Sequence, residues 1–162
     1  MHDPSEYTDK IGLHLVRLQR IRDRTLSQLS TMTKGVVDPA AYACLFRLLA
    51  EGPMRSGALA EAMYADPSTM SRQVAQLVER GLVERRADPG DGRASVLAVT
   101  EVGREMAAHL RQLRNARLDR ILSDWTDDER RDFARLLGKF VTDYECRRPE
   151  VIAAADEVKG KK

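Results

Sequence analysis

Apolar positions over residues 8–30 recur at helical spacing: Ile11, Leu15, Leu18 and Leu29 fall near one stripe, with Ile21 and Leu26 beside it. Arg17, Arg20, Arg22 and Arg24 occupy much of the remaining surface. The pattern predicts one long helix that stops before Thr33-Lys34-Gly35. Asp38-Pro39 then has the form of a helix start: a carboxylate that can accept from the first free N–H groups, then a proline where no N–H is needed. Tyr42, Leu45, Leu48 and Leu49 make its expected buried face, and Gly52-Pro53 ends it. Ser56 is expected to cap a short third helix through Met63, with Leu59, Ala62 and Met63 inward. Asp66-Pro67 repeats the start signal. Met70, Val74, Leu77 and Val78 stand at i, i+4, i+7 and i+8 as the inward stripe of a fourth helix, and Gly81 ends it.

The period then changes. Residues 82–86 and 94–99 read as strands, joined by a polar loop, Asp88-Pro89-Gly90-Asp91-Gly92-Arg93, that holds two strong turn pairs. Thr100 is expected to cap a helix running to about Leu122, with Val102, Met106, Leu110 and Leu113 inward. Thr126 and Glu129 have capping-box spacing, and Asp127 and Asp128 suit the positive end of a helix. Phe133, Leu136, Leu137, Phe140, Val141 and Tyr144 form the last apolar stripe. The order of parts is that of a winged helix-turn-helix. The expected fold is mainly α with a small β-hairpin. Its expected divisions are an N-terminal helix (1–35), a winged helix-turn-helix lobe (36–100), two C-terminal helices (101–148) and a flexible tail (149–162).

Composition narrows the function. At 162 residues one domain is expected, and 43% apolar residues suffice for a core. Aromatic residues are 5% of the chain, which argues against base-stacking platforms for single strands. Charged residues make up 32%, yet the net charge is only +2, so a nucleic-acid reading must rest on where charge lies. Even near the hairpin, Arg72, Arg80, Arg85, Arg86 and Arg93 are nearly offset by Glu79, Glu84, Asp88 and Asp91. Cys44 and Cys146 stand far apart with no zinc spacing, so neither metal nor cofactor is expected. Cys44 reads as an inert core thiol, with a redox role as the alternative, and Cys146 as an incidental surface thiol, with greater reactivity beside Arg147 and Arg148 as the alternative. The polar start lacks an apolar signal core, and no run approaches the roughly 20 residues of a membrane span. A cytoplasmic location without membrane contact is the expectation.

The run DPSTMSRQVAQLVERGLVERR, followed by DPGDGR and LAVT, resembles the MarR family of bacterial transcriptional regulators. The likeness spans residues 8–146. It implies a homodimer built from the first and last two helices, a winged helix-turn-helix lobe in each copy, and a pseudo-palindromic double-stranded DNA operator. Members are commonly repressors released by small phenolic ligands or by thiol oxidation. Oxidation-sensing members carry a cysteine in the first helix, and this chain has none there. The resemblance places recognition-helix positions on Ser68, Thr69, Ser71, Arg72, Gln73 and Gln76. Its wing signature falls on Asp91-Gly92-Arg93, where the arginine enters the minor groove and the aspartate helps position it.

Residue chemistry agrees, with plainer readings beside it. Ser68 and Thr69 in a first helical turn can hold a phosphate or touch a base edge, or simply serve the helix start beside Asp66. Arg72 suits guanine and Gln73 adenine, unless both are only solvated. Gln76, one turn on, suits a phosphate. Arg93 can enter a narrow minor groove, or pair with Asp91 or Asp88 and pin the turn. Arg85 and Arg86 could reach phosphate or pair with Glu84. His14, Arg17 and Tyr42 could hold a planar carboxylate effector, although each alone reads as a solvated or core position. Arg111, Arg114, Arg117 and Arg120 recur at spacings of three; they could follow DNA, but are expected to stay solvated or to pair across the dimer. No Gly-rich phosphate loop, metal spacing or nucleophile–base pair suggests an enzyme. The alternative is a winged-helix module that holds a protein partner without sequence-specific DNA binding.

Overall fold

A computed structural model describes residues 4–32 and 38–159. The predicted break at Thr33-Lys34-Gly35 and the last three residues lie outside the described ones. Among the described residues, six helices and one hairpin follow in the order α1 (Pro4–Met32), α2 (Pro39–Glu51), α3 (Ser56–Ala62), α4 (Pro67–Glu79), β1 (Val83–Asp88), β2 (Asp91–Val99), α5 (Glu101–Ile121) and α6 (Asp127–Lys159). The chain divides into two compact units, Met1–Ala108 and His109–Lys162.

In the first unit the local chemistry works as the residues suggest. Asp38 accepts from the Ala40 N–H at 2.9 Å and starts α2. Asp66 accepts from the Thr69 N–H at 2.8 Å and starts α4. Gly81 has φ +67°, a left-handed conformation that costs glycine no Cβ clash, and it turns the chain from α4 into the hairpin. The core fills the space between α2, α3, α4 and the hairpin. Ala41, Cys44, Leu45, Leu48, Leu59, Met70, Val74, Leu77, Leu82, Val83 and Leu97 are buried there, with Tyr42 and Leu49 packed at its edge. Val96 to Val99 are all buried, so this end of β2 is covered on both faces rather than alternating.

Several sequence expectations need correction. Ser56 is the first residue of α3, not its cap; Arg55 stands at the cap position without a capping side-chain bond. Val78 is 37% exposed, because its position i+8 drifts off the stripe that Met70, Val74 and Leu77 keep buried. On α5 the inward residues of the first turns are Gly103 and Ala107, with Met106 partly buried, while Val102 is 56% exposed. A close approach is made by small residues, which carry no apolar period. A backbone bridge between Met54 and Leu97, with N–H···O distances of 3.3 and 2.8 Å, adds a one-residue third strand that no pattern announced.

The hairpin differs too. Only Pro89-Gly90 forms the turn; Asp91, Gly92 and Arg93 belong to β2 instead of the expected loop. Pairing runs from Val83↔Val99 to Ala87↔Ser95 and then jumps to Asp88↔Asp91. Residues 92–94 therefore bulge opposite a single step of β1. Such a bulge bends the strand and re-aims its side chains.

In the second unit Thr126 and Glu129 form the expected reciprocal cap. The Thr126 N–H donates to Glu129 Oε2 at 2.8 Å, and the Glu129 N–H donates to Thr126 Oγ1 at 3.3 Å. The segment expected to be a tail from residue 149 is instead helical to Lys159, with Pro149 inside α6. Val151 to Lys159 hold three consecutive alanines, Ala153-Ala154-Ala155, the residue type with the best helix propensity, beyond the N–H that Pro149 lacks. Among the described residues, no helix is long and apolar enough to cross a membrane.

Candidate nucleic-acid interface

The outer side of α4 is built by what its inner side buries. With Met70, Val74 and Leu77 in the core, Ser68, Ser71 and Arg72 are exposed and Thr69, Gln73 and Gln76 are half-buried at the flanks. At the helix start, Asp66 draws in both candidate hydroxyls. Ser68 Oγ donates to its carboxylate at 2.6 Å and Thr69 Oγ1 at 2.7 Å. These two hydroxyls, with the Thr69 N–H, hold the Asp66 carboxyl well below the ordinary carboxylate range. Ionised Asp66 therefore sits where a phosphate would be drawn by the free N–H groups, and it uses both hydroxyl protons. What Ser68 and Thr69 keep outward is oxygen lone pairs, which suit a donor on a base edge better than a phosphate.

Ser71 Oγ donates to the Pro67 carbonyl at 2.8 Å. Arg72 Nη2 reaches Thr69 Oγ1 at 3.4 Å, a weak contact that leaves most of its donors outward. The two glutamines turn toward α2. Gln76 Oε1 accepts the Asp38 N–H at 3.1 Å, and Gln73 Oε1 accepts the Cys44 thiol at 3.1 Å. Cys44 also approaches the Ala40 carbonyl and Met70 Sδ, and burial pushes its thiol upward in pKa, away from thiolate reactivity.

The wing is held in a way the sequence did not disclose. Arg93 is exposed, and among the described residues its guanidinium has no partner; its backbone N–H donates to Asp91 Oδ1 at 3.1 Å. The pinning cation is Arg55. Its Nε and Nη2 reach Asp88 Oδ2 at 2.7 and 2.6 Å, and Nη2 reaches Asp91 Oδ2 at 3.5 Å. Asp88 Oδ1 accepts the Gly90 N–H at 2.9 Å, and that bond, with Arg55, lowers the Asp88 pKa. Arg55 is 33 residues from Asp88 in sequence, and no local signal marks it. On β1, Arg86 pairs with Glu84, while Arg85 is exposed.

The remaining candidates are not brought together by any bond among the described residues. His14 and Arg17 are exposed on α1, where residues 5–25 are all exposed, and Tyr42 edges the core on α2. Arg111 to Arg120 are exposed on α5. At 100° per residue, spacings of three carry these arginines around the helix instead of along one face. Among the described residues, no group of three or more His, Cys, Asp or Glu is placed to hold a metal ion.

A helix with Arg72 and the Ser68 hydroxyl oxygen on its outer side, followed by a wing that presents Arg93, has the parts that a groove-reading module needs. Comparison with known proteins identifies the family. The sequence profile of the MarR family matches residues 37–95. The chain is 34% identical over 119 residues to the uncharacterized HTH-type transcriptional regulator YxaD of Bacillus subtilis, covering 74% of this chain and 83% of that one. Its fold is similar to the structure of a MarR family protein from Bacillus stearothermophilus, with TM-score 0.68, 25% identity, and coverage of 85% and 97%. It is also similar to the PcaV transcriptional regulator of Streptomyces coelicolor, solved in complex with its natural ligand, with TM-score 0.56, 30% identity, and coverage of 80% and 90%. On this likeness of sequence and fold, the chain belongs to the MarR family of transcriptional regulators, a family of DNA-binding proteins and not of enzymes.

Proposed function

We propose that this chain is a dimeric, sequence-specific repressor of nearby genes, acting in the cytoplasm and released by a small aromatic or phenolic ligand. The observation that carries the DNA part is the exposure of Arg72 on α4 and of Arg93 in the wing bulge, where the Arg93 guanidinium has no partner among the described residues. Arg72 would read a guanine in the major groove, with Ser68, Thr69 and Ser71 accepting from neighbouring bases. Arg93 would enter the adjacent minor groove. Gln73 and Gln76 would act less as readers than as ties between α4 and α2.

The dimer part rests on apolar side chains left uncovered. On α1, Ile11, Leu18 and Ile21 are 52–54% exposed, and on α6, Phe133, Leu136, Phe140 and Tyr144 are 38–53% exposed. A two-fold partner would bury such faces. The ligand part rests on the family's habit and on the ligand complex of PcaV; His14, Arg17 and Tyr42 are its candidate contacts.

Selection of duplexes from a random library with the purified chain tests this reading. The expected product is two inverted half-sites with centres about 10 base pairs apart, bound by two copies. Enrichment of no sequence, with retained capture of a protein partner, would favour the interaction-module alternative.

A further inference from the structure

We propose that Arg55 is a positioning residue for the wing, setting the presentation of Arg93 through Asp88 and Asp91; this rests on the DNA-binding reading above. One guanidinium holds Asp88 closely at 2.6–2.7 Å and Asp91 weakly at 3.5 Å, and each carboxylate in turn holds a backbone N–H of the wing tip. Asp88 holds Gly90 in the turn, and Asp91 holds Arg93 itself. Arg55 has a fixed base from which to do this. Met54, just before it, is bridged to Leu97 of β2, and the Arg55 carbonyl accepts the Leu59 N–H at 3.0 Å in the first turn of α3. The wing is thus referenced to the α2–α3 junction as well as to its own strands.

The charge pattern points the same way. Near a phosphate backbone, Asp88 and Asp91 would repel DNA, and Arg55 offsets them from the side. Nε and Nη2 converge on Asp88 Oδ2 while Nη2 also faces Asp91, a two-nitrogen arrangement that a lysine ammonium does not reproduce. The pair is at the surface, with the Arg55 side chain 52% exposed, so its worth to folding is small. Its effect should therefore appear in DNA affinity and not in stability.

The test is a double-mutant cycle in the full chain, titrated at one salt concentration against the strongest duplex from the random library. Arg55→Ala is expected to weaken binding about tenfold, with Arg55→Lys recovering only part of the loss. In an Arg93→Ala background the same change should cost less than about twofold, because the residue it positions is gone. The urea midpoint should stay at the wild-type value, and the Gly90 and Arg93 amide resonances of the free protein should move. Should Arg55→Ala unfold the lobe, the proposal of a purely positional role fails; Arg55→Gln is the milder variant that checks it. A full tenfold loss in the Arg93→Ala background, or unchanged affinity, would overturn the assignment. Failure of the wild-type chain to prefer any duplex would instead bring down the DNA-binding reading, and this proposal with it.

Discussion

Among the described glycines, Gly103 at the start of α5 makes the closest approach, to the end of the hairpin, and replacing it with alanine is the sharpest test of that packing. A Cβ there would lie 2.1 Å from the Leu82 carbonyl oxygen and 2.8 Å from Val99 Cγ1. Contacts under 3.0 Å are essentially never shown by real Cβ atoms. The Leu82 carbonyl is not free to swing, since it accepts the Thr100 N–H at 3.1 Å. The start of α5 must move away from the hairpin by roughly an ångström, at the overpacking cost of about 1–3 kcal/mol. Opposing this, alanine is better than glycine in a helix by about 1 kcal/mol. Because the obstacle is backbone, the upper part of the range applies, and the net loss is about 2 kcal/mol. In urea that lowers the midpoint by about 1 M. Gly57 in α3 is the control, having nothing within 4 Å of an added Cβ. Gly57→Ala should hold or raise the midpoint. A Gly103→Ala midpoint equal to or above wild type would refute the packing of α5 on the hairpin.

Arg72→Ala should cost about 1–3 kcal/mol at one base position in each half-site, read by titration against a panel of single-base operator variants. A uniform loss over all sequences would make Arg72 a phosphate contact instead. Arg93→Ala should weaken operator binding while leaving the urea midpoint unchanged, because the side chain is exposed and without a partner among the described residues; unaltered affinity at fixed salt would remove the wing from the interface. The carboxyls of Asp66, Asp88 and Glu129 all sit below their ordinary range, so the unfolded chain binds more protons than the folded one on the acid side. Their stabilisation is complete above the ordinary value of about 4 and is lost as pH falls toward the folded values. The urea midpoint should therefore fall from about pH 5 to pH 3, and less so in Asp66→Asn; a midpoint that rises with acid would contradict the cap geometry.

Helix starts were readable because capping chemistry is local: Asp38 and Asp66 reach N–H groups two or three residues on, and Thr126 and Glu129 close their box within three. Met70, Val74 and Leu77 of the α4 stripe follow from period, and the hairpin from period with its turn residues, while Val78 and the loop bounds do not. The wing tip was misjudged because two turn pairs stand side by side, and only Pro89-Gly90 turns while Gly92 goes into a bulge. Long-range ties were out of reach of any pattern. Gln76 meets Asp38 from 38 residues away, and Arg55 meets Asp91 from 36, so a glutamine read as a phosphate contact turns inward and the wing's own cation goes unnoticed. Val102 failed for a different reason: the face of α5 that packs on the hairpin is made by Gly103 and Ala107, whose smallness is the signal.

Binding of the purified chain to the DNA flanking its own gene, titrated at two salt concentrations beside a random duplex of equal length, tests the central claim most directly. The account predicts that preference for the flanking DNA survives the higher salt, since base contacts by Arg72 and Arg93 add to the phosphate attraction that salt removes. Loss of binding to both duplexes in parallel as salt rises would mean charge attraction alone, and would contradict a sequence-specific regulator acting on its own neighbourhood.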